Sequence, residues 1–226
     1  LQKISGMPLN AVLFDMDGVI VDTEPLHRKA YLKTFDDLGI TVPDELYASF
    51  TGYSTQKVCD TLIDYFHLDV SAENIATIKR KYFKKLFDED PDFDLLPGVL
   101  ALIQHYHENG VKLILASSAH INTINWVFAR FKLEPYFMGK ISGAALKESK
   151  PDPEIFILAA EMAGEPRENC MVIEDSTNGI LAAHRAGIFC AGYKSEHSEM
   201  QDYSLANVVT DDFSALRLDK IRPYFS

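Results

Sequence analysis

The chain has 226 residues, enough for one large domain or for a core with a smaller insert. Its 47% hydrophobic and 24% charged residues place it among ordinary soluble globular proteins rather than disordered or membrane-spanning ones. A net charge of −11 argues against a nucleic-acid binder, because backbone affinity comes from clustered Lys and Arg, and it leaves any anionic substrate in need of a local cation. No stretch is apolar over the length of a bilayer, and the first residues lack an apolar signal segment. Cys59, Cys170 and Cys190 form no C-x-x-C pair, so a reducing, cytoplasmic setting is expected, with no membrane partner.

In chain order, Ala11-Val12-Leu13-Phe14 is a short, wholly apolar run that reads as a strand buried on both faces. It breaks into Asp15-Met16-Asp17-Gly18-Val19-Ile20-Val21-Asp22. Two carboxylates one residue apart repel each other unless a cation or a shared proton lies between them. An isolated Asp-x-Asp-Gly would equally serve as a solvated turn. Residues 26–39 then read as a helix, with Leu26, Ala30, Phe35 and Leu38 near helical spacing and Gly39 placed to stop it. A short helix at 43–50 and a loop at 51–54 follow, with Ser54 as an N-cap. Residues 56–66 and 71–87 are two more helices, the second basic along Lys79, Arg80, Lys81, Lys84 and Lys85. No strand pattern interrupts this block, which reads as a separate lid, and the acidic, proline-bearing 88–97 reads as the return linker.

From Gly98 helices and strands alternate. Helix 99–108 stops at Gly110, and strand 111–116 ends in Ser117-Ser118. Helix 121–131, a weak strand at 137–142 and a proline-opened helix at 153–163 follow. Strand 170–173 ends in Glu174-Asp175-Ser176, helix 179–186 stops at Gly187, and the last strands fall at 189–192 and 208–209. Such alternation predicts right-handed crossovers and a parallel sheet: an α/β, Rossmann-like core at 7–24 and 97–226, with 25–96 inserted as a helical cap.

In an open parallel sheet the ligand lies beyond the carboxyl ends of the strands. Those ends carry Asp15, Asp17, Ser117, Glu174 and Asp175. Hard oxygen donors without His or Cys suit Mg²⁺. Lys150, in Lys150-Pro151-Asp152-Pro153, is the nearby cation; it is read as opening a helix, whose N-terminus would also favour an anion. A metal and a lysine flanking a phosphoryl group, a carboxylate nucleophile and a second carboxylate as acid and base together satisfy what phosphoryl transfer needs. Taken singly, Lys150 reads as a surface lysine and Glu174-Asp175 as an ordinary acidic helix start.

The motif Asp15-Met16-Asp17-Gly18-Val19-Ile20-Val21-Asp22-Thr23 after an apolar strand resembles the first motif of the haloacid dehalogenase-like superfamily, and Ser117, Lys150 and Glu174-Asp175 resemble its other three, in order. The resemblance implies that Asp15 is the nucleophile and Asp17 the acid/base, Asp17 also lending its backbone carbonyl to the metal. Ser117 would donate to phosphate, Lys150 would balance charge, and Glu174 and Asp175 would complete the metal site, Asp175 being the surer ligand. Gly18 and Ser118 are the expected substrate-facing neighbours. Members that cleave carbon–halogen bonds or phosphonates lack an Asp two residues after the nucleophile, so Asp17 implies phosphate-ester chemistry on a small-molecule substrate, by a protein expected to be a monomer.

The insert resembles the cap of the phosphatase and β-phosphoglucomutase branch, where specificity resides. His27, Gly52 and Thr55 are its expected substrate-binding positions. His27 stands where the mutases carry a His that helps gate acid/base catalysis, with Lys79 near the place of its partner lysine, though a surface polar residue explains His27 as well. Thr51 and Thr55 stand where the mutases carry Lys and Arg, and Ile121 replaces a substrate-binding Asn. A phosphatase is therefore expected before a sugar phosphomutase, and a non-catalytic sensor of a phosphorylated ligand last, since the Asp15/Asp17 pair is intact. Tyr53, Lys57 and Trp126 could line a pocket, but packing accounts for them equally.

Overall fold

The structure, a computed structural model, describes residues 8–50, 53–195 and 200–225. It contains two compact units: the chain up to Asp22 together with Asp94 onward, and Thr23–Phe93 between them.

The second unit is helical, with α1 (Glu24–Leu38), α2 (Asp44–Ala48), α3 (Thr55–Phe66) and α4 (Ala72–Glu89). Helix α1 starts ahead of the expected residue 26 because Pro25 fits the first turn, where its missing N–H leaves no bond unmade. Ser54 and Ser71 cap α3 and α4 by accepting from the amides of Lys57 and Asn74. Helix α4 packs against both α1 and α3. Tyr31, Phe35, Phe50, Val58 and Leu62 form one apolar cluster, and Cys59, Ile75 and Ala76 a second. The Tyr82 hydroxyl donates to Asp37 at 2.7 Å, tying α4 to α1.

The first unit is an α/β sandwich. Strands β1 (Ala11–Phe14), β2 (Lys112–Ser117), β3 (Gly139–Ser142), β4 (Cys170–Glu174), β5 (Phe189–Tyr193) and β6 (Val208–Thr210) form one sheet in the order β3-β2-β1-β4-β5-β6, all pairs parallel. Helices α5 (Val99–Glu108), α6 (Ile121–Phe131), α7 (Glu154–Ala163) and α8 (Thr177–Ala186) cover it. Side chains alternate along each strand. Ala11 and Leu13 of β1 and Cys170 and Val172 of β4 pack with Phe156 and Ala159 of α7 and with Ile180 and Ala183 of α8. Phe14 faces the other way, edge-on to Tyr106 of α5 and to Phe137.

The chain order runs outward from β1 to β3, then returns to β4 beside β1. The carboxyl ends of β1 and β4 therefore meet where the winding reverses, the place such sheets leave a crevice. Residues 94–97, expected in the cap linker, belong to this unit. Leu95 bridges to Val21, and the Leu96 amide donates to the Ile20 carbonyl at 2.9 Å.

Candidate active site

Strand parity builds the site. Asp15 continues the face of Ala11 and Leu13, and Glu174 continues that of Cys170 and Val172. The Asp15 amide still donates to the Ile173 carbonyl at 3.0 Å, so its direction is fixed by the sheet. Lys150, just before α7, meets both on that face. Its Nζ donates to Asp15 Oδ1 at 2.5 Å, to Glu174 Oε1 at 2.8 Å and to the Ala116 carbonyl at 3.0 Å. All three side chains are buried.

Burial pushes the Asp15 carboxyl up to about 7, Lys150 pulls it down, and the charges of Glu174 and Asp17 add to the rise. Asp175 is also held well above the usual carboxylate range, by burial first and then by Glu174, Asp15 and Asp17. Burial would lower Lys150, but Asp15 and Glu174 outweigh it and raise the ammonium's pKa. The pocket thus holds more carboxylate than one lysine balances.

Among the described residues no three His, Cys, Asp or Glu side chains gather as a ready-made metal cage. In Glu174, Oε1 accepts from Lys150, and Oε2 accepts from the Ser176 amide at 2.8 Å and hydroxyl at 3.0 Å. Both oxygens of this expected metal ligand thus have protein partners, and one of them holds the lysine. Asp175 lies against the turn after β1, where a Cβ on Gly18 would fall 1.9 Å from Asp175 Oδ2. Gly18 also has φ +78, which glycine adopts without strain. Asp15 and Asp175 stand close enough for each charge to act on the other at this carboxylate-rich strand rim, and such hard oxygen donors fit Mg²⁺.

The chain bends at Met16, whose carbonyl receives the amides of Val19, Ile20 and Val21, and Asp17 within this bend bridges to Val21. Ser117 ends β2 fully buried, its Oγ accepting from the Ala119 amide at 3.1 Å and retaining its own proton to donate. Ser118 is exposed at the same strand end. Lys150 does not open α7: that helix starts at Glu154, whose amide is taken by Asp152 Oδ1 at 2.9 Å. The chain's own carboxylate thus takes the first amide of the N-terminus expected to favour an anion.

In the helical unit His27 and Lys79 come together, Lys79 Nζ lying 2.7 Å from His27 Nδ1. Lys79 is buried, over the rings of Tyr31 at 4.9 Å and Phe83 at 5.2 Å, and His27 stacks on Phe83 at 4.5 Å. Burial and the lysine charge hold His27 well below its ordinary range, so the imidazole is neutral and Nδ1 accepts. A cavity of about 160 Å³ opens here, lined by Thr55, Glu24, Tyr31, Tyr47 and Tyr53 among others. Tyr31, one turn along α1 from His27, was the missed member whose spacing signalled it. Gly52 and Thr51 lie outside the described residues.

The sheet thus carries an aspartate pair beyond its first strand and a lysine clamped between two strand ends. Residues 9–187 match the haloacid dehalogenase-like hydrolase family, and the chain is an enzyme belonging to it. It is 33% identical over 184 residues to the phosphorylated carbohydrates phosphatase of Thermotoga maritima, covering 80% of this chain and 82% of that protein. It is 33% identical over 182 residues to a "Probable pseudouridine-5'-phosphatase" of Drosophila melanogaster, covering 78% of each. The crystal structure of beta-phosphoglucomutase from Clostridium difficile superposes with a TM-score of 0.82 at 28% identity, covering 96% of this chain and 97% of that one.

Proposed function

We propose that the protein is a Mg²⁺-dependent phosphatase of small phosphorylated metabolites, sugar or polyol phosphates, working through an aspartyl-phosphate. The observation that carries this reading is Lys150 bonded at once to Asp15 and Glu174 beside Asp17 and Asp175. Asp15 attacks phosphorus, the ester P–O bond breaks, and Asp17 gives its proton to the departing alkoxide. Asp17 then takes a proton from the water that attacks the acyl phosphate, which releases inorganic phosphate and restores Asp15. Lys150 and the Ser117 hydroxyl offset charge on the phosphoryl oxygens. A Mg²⁺ held by Asp15, Asp175 and the Asp17 carbonyl would supply the rest of that charge.

The helical unit serves as a specificity cap. The phosphorylated-carbohydrate and pseudouridine phosphatases among the relatives support a small phosphate ester as substrate. The three free thiols support a reducing compartment. The His27–Lys79 contact favours a second reading, a β-phosphoglucomutase-like sugar phosphomutase, while Thr55 in place of a mutase arginine counts against it.

Glucose 1-phosphate followed by phosphorus NMR with Mg²⁺ decides between them. Release of inorganic phosphate, stopped by EDTA and restored by Mg²⁺, is expected. Accumulation of glucose 6-phosphate would establish the mutase, and indifference to chelation would remove the metal.

A further inference from the structure

The end of β4 is braced by a segment that takes no part in the steps above. The Tyr203 hydroxyl donates to the Asp175 carbonyl at 2.8 Å and lies 3.1 Å from the Tyr193 carbonyl. Its ring passes over β5 at Gly192, where a Cβ would stand 2.7 Å from Tyr203 Cδ1. Two residues earlier, Gln201 Oε1 accepts from the Thr177 amide at 2.7 Å, and the Asp202 amide donates to Thr177 Oγ1 at 2.8 Å. Ser195 Oγ donates to Asp175 Oδ2 at 3.2 Å. Asp175 is therefore gripped through its carbonyl and its carboxylate by residues that follow β5.

The backbone on either side of Asp175 has little freedom left. On one side Glu174 is locked to Lys150 and Ser176; on the other Thr177 is locked to Gln201. The carbonyl between them is bonded by a tyrosine that only a glycine in β5 admits. We infer that Tyr203 is a positioning residue for metal binding: its bond to the Asp175 carbonyl sets where that carboxylate stands and so how tightly the site takes a divalent cation. Partners of this kind, one step removed from a ligand, commonly change metal affinity by about tenfold or more.

The inference rests on Asp175 being a metal ligand, and one experiment separates the two. Mg²⁺ alone is titrated into the full chain by calorimetry, for the parent, Asp175→Asn and Tyr203→Phe. The phenylalanine keeps the ring over Gly192 and removes only the hydroxyl. Loss of binding in Asp175→Asn together with an approximately tenfold higher Kd in Tyr203→Phe is the expected result. Loss in Asp175→Asn with the parent's Kd in Tyr203→Phe overturns the inference and leaves the ligand assignment standing, whatever happens to thermal stability. Undiminished binding in Asp175→Asn overturns both.

Discussion

Glu174 occupies the space where a side chain at Gly179 would begin: a Cβ there would stand 1.7 Å from Oε1 and 2.4 Å from Oε2. On an ordinary helix, alanine at such a position would gain about 1 kcal/mol over glycine. Here the overlap is with a buried carboxylate held at both oxygens, and it wins. Gly179→Ala should lower stability by about 1–3 kcal/mol in urea unfolding, and it should slow phosphate release because Lys150 loses its anchor. A more stable, fully active variant would contradict this.

Lys150 is the cation that Asp15 and Glu174 share in a buried setting. Removing one member of such a group leaves uncompensated charge, which costs about 3–5 kcal/mol. Lys150→Met, which keeps an unbranched apolar stem but loses the ammonium lying 4.8 Å from the centre of the Phe156 ring, should therefore be inactive and lose stability on that scale in equilibrium unfolding.

Asp15→Asn should abolish turnover, by at least about a thousandfold in kcat, without loss of the fold. Lys150 keeps Glu174 and the Ala116 carbonyl as partners in that variant. Stopped assays together with circular dichroism check both halves.

His27 is disfavoured as a cation by burial and by Lys79, with Glu24 lining the same cavity. A histidine whose folded pKa is depressed leaves stability intact above its unfolded value near 6.5 and loses it as pH falls below that. The unfolded chain takes the proton that the folded chain refuses. Between pH 6.5 and 5.5 the parent should lose up to about 1 kcal/mol more than His27→Gln in urea titrations. Parallel pH dependence in the two proteins would remove the effect.

Helices and strands with strong periodicity were legible from residue order. The spans 99–108 and 121–131 agree with the structure to the residue, as does the apolar strand Ala11–Phe14. The family resemblance pointed to Asp15 and Lys150, which the structure brings within hydrogen-bonding distance. What residue order could not separate was the adjacent pair Glu174 and Asp175, two acids at one strand end. Parity divides them: Glu174 shares the α7 face with Asp15 and meets Lys150, whereas Asp175 turns toward Gly18. That distinction depends on which face Lys150 enters. Tyr203 gave no signal, being one aromatic in an irregular stretch. The short helical turns after β6 were equally silent, their aromatics declared only by tertiary packing such as Phe213 stacked on Tyr193 at 4.0 Å.

Three amides at the start of α8 are taken: Ser176 N–H by Glu174, Thr177 N–H by Gln201 and Gly179 N–H by the Ser176 hydroxyl. A free helix end is where many proteins hold a tetrahedral anion without help. With these three taken, inhibitors such as sulfate or vanadate are left chiefly with Lys150 and the Ser117 hydroxyl in chelated protein. Their inhibition constants should improve steeply as magnesium is supplied, making inhibitor potency a reporter of metal loading.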